Sequence, residues 1–395
     1  MTLVVLAVVQ TLALLVLLRR LAPGRNRKPA VAPQLEERAD TSLSVLIPSL
    51  NEARRIGPCL AGLKVQGLPL TEILVIDSNS SDGTSQLVSK AAERDTRIRL
   101  LSDGDLPAGW VGKVWALQKG LESATGEWVL GIDADTVPQP GMVGAVLSVA
   151  ERNGYDVVSF SPRFAGQTAC ERLVQPAMLV SLVYRTGAAG SDQPPDRVLA
   201  NGQCFLARRR LLLEHGGYAA ARNSFSDDVT LARHLARNGL RVGFEDGSRV
   251  IHVRAYSGLR EMWREWGRSF DLSDSSSLGQ RWGDVLLVWL VQALPLPILT
   301  AVVLQSVYHT SNRVFVLPSL LFGWLFFVNL MAFFVRLSML LAMQGSYVKR
   351  GLPYWLSWLS DIPAALRLSA SMLRARAAQR VWRGRRYVQR GDGNV

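Results

Sequence analysis

Trp128-Val129-Leu130-Gly131-Ile132-Asp133-Ala134-Asp135 is the stretch on which the reading of this chain turns. Residues 128–132 are an apolar run of strand length, and two carboxylates separated by one small residue follow at once. Working back toward the N-terminus, residues 98–101 read as another strand and 113–123 as a helix. Residues 72–76 form a strand candidate, 77–84 a turn and 85–94 a helix. Residues 43–47 are a β-rich run closed by Pro48, with helix-compatible sequence to about residue 64. Strands alternating with helices of this length imply right-handed βαβ crossovers and an α/β fold with a mostly parallel sheet. In such sheets ligands bind beyond the C-terminal ends of the strands. The polar clusters Ser49-Leu50-Asn51-Glu52, Asp77 to Asp82, and Asp133-Ala134-Asp135 each follow a strand candidate. They are expected to converge on one rim.

Toward the C-terminus, residues 141–151 suggest a helix and 157–160 a strand. Residues 169–186 form a largely apolar helical run with Pro176 inside, fit for a membrane surface, an apolar acceptor groove or a buried core. Residues 192–196 read as a loop, and 228–238 as a helix stopped by Gly239. Residues 242–244 and 249–251 are further strand candidates.

Three uncharged runs bracket this region: residues 1–18, 285–312 and 314–335. Each meets the length needed to cross the hydrocarbon layer. The first lacks a basic leader and is followed by Arg19, Arg20, Arg25, Arg27 and Lys28. That pattern predicts an uncleaved helix ending on the cytoplasmic side rather than a signal peptide. The expected layout is a transmembrane helix over 1–21, a linker over 22–42 and a cytoplasmic catalytic region over 43–270. Two crossings lie within 271–345, near 285–307 and 315–343, although a re-entrant arrangement around Pro295 and Pro297 stays open. Residues 346–395 supply an interfacial helix and a basic tail. A fourth crossing over 353–373 would put Asp361 and Arg367 in hydrocarbon, whereas a surface helix leaves them in water. The setting is thus a multi-pass protein of the inner (plasma) membrane, with a thylakoid membrane as the other setting considered. The net charge of +13 is concentrated beside the apolar segments and suits anionic headgroups. No recognition element accompanies it, so a nucleic acid partner is not expected. Cys59, Cys170 and Cys204 show no CxxC spacing and imply neither a disulfide framework nor a thiolate metal site.

Each candidate for chemistry has a plainer alternative. Asp133 and Asp135 are hard oxygen donors suited to Mg2+ or Mn2+ and to a diphosphate, or are turn formers after a strand. Asp77 and Asp82 recognise a base or ribose, or close an Asx turn and cap a helix. Asn51 and Glu52 pose the same choice. Lys113, in Gly109-Trp110-Val111-Gly112-Lys113, contacts phosphate or donor sugar, or faces solvent. Asp227 and Asp228 start a helix and either complement its dipole or supply a general base. A base must reach the acceptor hydroxyl within about 2.6–3.2 Å. Asp228 is the expected base, with Asp227 orienting or contacting the acceptor. His252 is a third metal ligand or a structural histidine. Trp263, Trp266 and Arg268, within residues 260–268, stack on an acceptor and pair with diphosphate, or anchor the chain at a membrane interface.

Taken in order, these segments resemble the family 2 glycosyltransferases, whose catalytic domain has the GT-A fold. The resemblance covers roughly residues 43–270. Its elements are Ser44-Val45-Leu46-Ile47-Pro48 with Asn51-Glu52, residues 77–84, Gly112-Lys113, Asp133-Ala134-Asp135, Asn201-Gly202-Gln203 and Asp227-Asp228. It implies nucleotide binding by Glu52 and Asp77, a donor contact by Asp82, the metal on Asp135, and Asp228 as base of an inverting displacement. Gln203 falls on the acceptor or diphosphate side. The N-terminal helix and the C-terminal membrane segments look like the lipid-modifying branch, including ceramide and hopanoid-associated enzymes. Residues 109–113 and Trp382-Arg383-Gly384-Arg385-Arg386-Tyr387 resemble bacterial carotenoid glycosyltransferases. The implied partners are a nucleotide sugar and a lipid or carotenoid hydroxyl. The Q/R-x-x-R-W motif of processive and ceramide-type enzymes has no match here, which lowers the expectation of polymer synthesis. A processive polysaccharide synthase and a catalytically silent scaffold of a lipid-biosynthetic assembly are the competing readings.

Overall fold

The computed structural model describes residues 1–253, 256, 258–311, 320–374, 379–382 and 385–388. It divides into two compact units. One joins Arg27–Ala165, Ala189–Ala255 and Arg376–Val395; the other joins Met1–Asn26, Gly166–Ala188 and Tyr256–Ala375.

The first unit is α/β. Its strands are β1 (Leu43–Ser49), β2 (Leu70–Asp77), β3 (Ile98–Ser102), β4 (Trp128–Gly131), β5 (Thr136–Pro138), β6 (Val157–Ser161), β7 (Arg163–Phe164), β8 (Phe205–Arg208), β9 (Val242–Asp246) and β10 (Ile251–Val253). Seven form one sheet in the order β3-β2-β1-β4-β8-β6-β9. Pairs β1/β2, β2/β3, β1/β4 and β6/β9 are parallel, while β8 runs antiparallel to both neighbours. The sheet is therefore mostly parallel, as expected, with one reversed strand that the sequence reading had not identified.

Alternation along β1 sends Val45 and Ile47 to one face and Leu46 to the other. The first face packs on the helices Ile56–Lys64 and Met142–Arg152 through Leu60, Leu63, Val146 and Leu147. The second packs on Gly112–Ser123 and Asp227–Arg237 through Val114, Leu117, Leu231 and Leu235. Covering both faces explains why the strands read as continuous apolar runs. In register, Ser49 stands opposite Asp77 and Asp77 opposite Ser102, so the strand ends finish along one edge.

Residues 27–38, within the segment read as a linker, are hydrogen-bonded along the α/β unit. Lys28, Val31, Gln34 and Arg38 donate backbone hydrogen bonds to Gly190, Asp246, Gly141 and Leu68. Val31 is buried in the core, and Lys28 pairs with buried Glu245. The strap fits because Gly141 and Gly144 have no side chains: a Cβ at either would stand 2.8 Å from the Gln34 backbone. Its partners lie far away in the chain, so local composition could not disclose them. A small second sheet, β5-β10-β7, sets Ile251 opposite Pro138 and His252 opposite Val137.

The second unit is helical. Thr2–Asn26 and Leu320–Ser346 are long and apolar enough to cross a membrane. The segment expected to cross near 285–307, or to re-enter around Pro295 and Pro297, is a broken pair of helices, Leu278–Ala293 and Pro295–Tyr308, bent by 42°. Pro295 lacks the N–H that would continue the ladder, and a π-turn over Trp289–Ala293 precedes it. Residues 314–319, which open the third apolar run, lie outside the described residues.

Residues 353–373 also depart from expectation. They form Gly351–Trp355, a 3-10 turn and Asp361–Arg374, but the charges face inward rather than toward water. Asp361 is buried and pairs with Arg336 at 2.9 Å, while Gln292 Nε2 donates to the same carboxylate. Arg367 is buried and donates to the Trp263 carbonyl. Leu352, Trp355, Leu359, Ile362, Leu366 and Leu373 are the exposed members. Pairing costs less than leaving either charge buried alone in an apolar bundle, and Arg336 comes from a helix read as purely apolar up to residue 335.

Residues 169–186, placed by sequence within 43–270, cluster with this helical unit, as do residues 256–270. The helix Ala169–Thr186 starts at a capping box between Thr168 and Glu171. Of the basic tail, Gln379–Trp382 and Arg385–Val388 pair as an antiparallel hairpin.

Candidate active site

The acidic site lies in the α/β unit. Past β4, Ile132 N–H still bonds to the Leu46 carbonyl, and Thr136 N–H closes a turn onto the Asp133 carbonyl. Ala134 is buried under that turn, which explains the small residue between the carboxylates. Lys113 occupies the first turn of the helix Gly112–Ser123. Its Nζ lies 2.9 Å from Asp133 Oδ1 and 3.8 Å from Asp227 Oδ2. Burial opposes its charge, but Asp133, Asp227 and Asp228 outweigh it and raise the Lys113 pKa.

Asp227 and Asp228 open the helix Asp227–Arg237. The Asp228 carboxylate is fixed at both oxygens: Gly202 N–H donates to Oδ2 at 2.7 Å and Val229 N–H to Oδ1 at 2.8 Å. Each oxygen keeps a lone pair for a further donor. Burial pushes both aspartates above the ordinary carboxylate range, with Lys113 pulling the other way. Gly202 is tightly enclosed; a Cβ there would stand 2.7 Å from Lys113 Nζ and 3.7 Å from Asp228 Oδ2. Gln203 sits beside the Asp133–Asp135 turn, its carbonyl accepting from Thr136 Oγ1 and its side chain from Asn201 Nδ2.

The loops after β1 and β2 are joined to each other. Asn51, at φ 57°, accepts from Ser81 N–H, and its own N–H donates to Ser80 Oγ. Glu52 is buried, with its N–H on Thr84 Oγ1 and its carboxylate 3.9 Å from Arg55. Asp77 accepts from Ser80 N–H, Ser80 Oγ and Ser85 Oγ. Asp82 accepts from Ala53 N–H, Thr84 N–H and Thr84 Oγ1. Both aspartates therefore carry the turn-and-cap role that the sequence admitted as the plainer alternative. Asn51, Glu52, Asp77 and Asp82 thus form one strand-end cluster, and Lys113, Asp133, Asp227 and Asp228 another.

Three contributors were not anticipated. Asp103, past β3, accepts from Ser78 Oγ at 2.5 Å, and its carbonyl accepts from Trp115 Nε1. Tyr218 is buried, and its hydroxyl would lie 3.2 Å from a Cβ on Gly131. Burial and then Asp227 raise its pKa, while Lys113 lowers it. Cys59 is buried below the turn, its thiol held protonated by burial and by Asp135 and Asp133. Only the position of Asp103, just after a strand, was a signal visible in the sequence.

The remaining candidates stand elsewhere. His252 is partly buried in the small sheet, where burial and Arg163 lower its pKa. Among the described residues no three His, Cys, Asp or Glu side chains are grouped so as to hold a metal ion. Trp263 and Trp266 belong to the helical unit. Trp266 is buried there against Phe270, with ring centroids 5.9 Å apart, and Trp263 faces the Arg367 guanidinium. The Arg268 side chain lies outside the described residues.

A divalent cation suits the donor chemistry at Asp133 and Asp135, which is hard oxygen with no thiolate offered. With no metal-holding group of three such side chains among the described residues, a cation held by Asp133 and Asp135 would complete its ligands with water and diphosphate oxygens.

Residues 44–216 match the family described as "Glycosyl transferase family 2". A 4,4'-diaponeurosporenoate glycosyltransferase of Staphylococcus haemolyticus is 21% identical over 239 residues, covering 60% of this chain and 63% of that protein. An undecaprenyl-phosphate 4-deoxy-4-formamido-L-arabinose transferase of Pseudomonas aeruginosa is 27% identical over 225 residues, covering 55% and 61%. The chain thus spans less than two thirds of the length of either relative. A mannosyltransferase of Pyrobaculum calidifontis, solved in complex with GDP-Man and Mn2+, superposes with a TM-score of 0.55 at 20% identity, covering 94% of this chain and 98% of that one. The likeness is one of fold, and the fold is GT-A-like.

Proposed function

We propose that this family 2 glycosyl transferase region moves one sugar from a nucleotide-sugar donor to a hydroxyl of a membrane lipid, with inversion at the anomeric carbon. The observation that carries the reading is the meeting of Lys113, Asp133, Asp227 and Asp228 beyond the strand ends of a mostly parallel sheet. In this reading Asp228 is the base. Its carboxylate takes the proton of the acceptor hydroxyl while that oxygen bonds to the anomeric carbon. The bond from that carbon to the diphosphate breaks, and its electron pair leaves with the nucleoside diphosphate. Two backbone N–H groups hold the base still, so its orientation is set before the acceptor arrives. Lys113 presents a fixed positive charge to the leaving group, and Asp227 orients the ammonium. Mg2+ or Mn2+ held by Asp135 and Asp133 would neutralise further charge on the diphosphate. Asn51, Glu52, Asp77 and Asp82 shape the nucleotide side of the rim, and Gln203 borders the acceptor or diphosphate side.

A lipid acceptor is supported by the two apolar helices of the same chain and by relatives named for diaponeurosporenoate and undecaprenyl-phosphate substrates. A carotenoid or other terpenoid hydroxyl is the acceptor class we favour. The cations at 19, 20, 25, 27 and 28 support a cytoplasmic α/β unit at the plasma membrane. The test incubates membranes holding the full chain with a panel of nucleotide sugars and lipid extracts, with and without Mn2+ or Mg2+. Mass spectrometry should show one metal-dependent added sugar. A ladder of polymer lengths would favour a processive synthase, and no lipid glycoside across the panel would reject the proposal.

A further inference from the structure

Lys113 is boxed in more closely than a mobile phosphate-seeking lysine needs to be. Its side chain is 17% exposed. Asp133 Oδ1 touches the ammonium at 2.9 Å, Asp227 Oδ2 stands 3.8 Å away, and a Cβ on Gly202 would stand 2.7 Å from it. The ammonium is thus the resident positive charge of an acidic cluster. It also holds the same Asp133 carboxylate that a divalent cation at the Asp133-Asp135 turn would use. Among the described residues no three His, Cys, Asp or Glu side chains are grouped so as to hold a metal ion at that turn. A divalent cation and an ammonium on one carboxylate repel each other, whereas a diphosphate offers oxygens to both.

We propose that Lys113 is a built-in counter-ion that competes with the divalent cation for Asp133, so that metal and diphosphate bind as a coupled pair. The proposal rests on the transfer reading in assuming a divalent cation at this turn. Lys113 is then a positioning residue for metal loading as well as a charge beside the leaving group. Coupling of this kind is reciprocal: whatever factor the diphosphate adds to metal affinity, the metal adds to diphosphate affinity.

Mn2+ binding by the full chain in detergent, read from the loss of the free Mn2+ paramagnetic resonance signal, tests this without any sugar transfer. Mn2+ is titrated alone and with UDP or GDP. In wild type, affinity for Mn2+ alone should be weak and should rise on adding a nucleoside diphosphate. Lys113→Met should bind Mn2+ alone about tenfold tighter than wild type, the change expected on removing one adjacent like charge. It should also lose most of the enhancement by nucleoside diphosphate. Lys113→Gln, also neutral, provides the same comparison where the methionine variant does not fold. Adding Asp133→Asn to either variant should cancel the gain. Equal or weaker Mn2+ affinity in a folded neutral variant overturns the competition while leaving the transfer reading intact. No Mn2+ binding by wild type or variant, with or without nucleotide, overturns both.

Discussion

Gly202→Ala puts the proposed arrangement under a small and calculable strain. The new Cβ would stand 2.7 Å from Lys113 Nζ, against 3.4 Å for ordinary contact. The ammonium is the far end of a flexible side chain, so it yields before the backbone does, retreating by about 0.7 Å. If the Lys113–Asp133 pair takes all of that displacement, it lengthens from 2.9 Å to roughly 3.6 Å, costing about 1 kcal/mol at an effective dielectric near 20. Gly202 N–H keeps its bond to Asp228, because only the side chain changes. Transfer efficiency, kcat/KM for the nucleotide sugar, should therefore fall about five- to tenfold. In a Lys113→Met background the same substitution should add almost nothing, since its target is gone. The assay is steady-state transfer by purified full-length protein, with a thermal melt to verify folding. A folded variant unchanged within about twofold would refute the claim that Gly202 sets the lysine. So would an equal loss in the Lys113→Met background, which would place the damage in the loop itself.

Four further outcomes follow from the structure. Asp228→Asn keeps the shape of the base without its proton affinity and should lower kcat by roughly 10^2–10^4, with normal membrane insertion, in single-turnover assays. Burial raises the Asp227–Asp228 pair above the usual carboxylate range, so kcat/KM should rise with pH through that elevated range as the base deprotonates. Asp227→Asn removes a like charge and should move this limb to lower pH, whereas Lys113→Met should move it to higher pH. Because the folded values are raised, the pair's contribution to stability is full below the unfolded carboxylate pKa and is lost as pH rises through the folded one; melts against pH should be flatter in Asp227→Asn. In the helical unit, Asp361→Leu strands the buried Arg336 charge and should destabilise by roughly 3–5 kcal/mol, whereas the double change Arg336→Met with Asp361→Leu should recover most of it on denaturant titration in detergent.

The chain's periodicity was enough to set the class of the fold. The runs at 43–47, 72–76, 98–101 and 128–132 read as strands, and the polar clusters after the first, second and fourth place Asn51, Asp77 and Asp133 at strand ends. Those signals are local, and they survived: all four runs are parallel neighbours in one sheet. The apolar lengths of residues 1–18 and 314–335 likewise foretold two long apolar helices.

What tertiary structure alone decided is which groups hold one another. Nothing in the sequence says that Asp77 spends its oxygens on Ser80 and Ser85, or that Lys113 leans on Asp133 rather than on solvent. Nor does it say that Gly202, 26 residues before Asp228, donates to that carboxylate, or that residues 27–38 lie as a strap on glycines more than 100 residues away. Arg336 and Asp361 belong to segments read as an apolar span and a surface helix, yet they meet in a buried pair. The physical reason is the range of the interactions. Hydrophobic periodicity acts over a few residues and is written into the chain. A hydrogen bond or ion pair needs its two partners within about 3 Å, and only the folded path of the backbone brings them there.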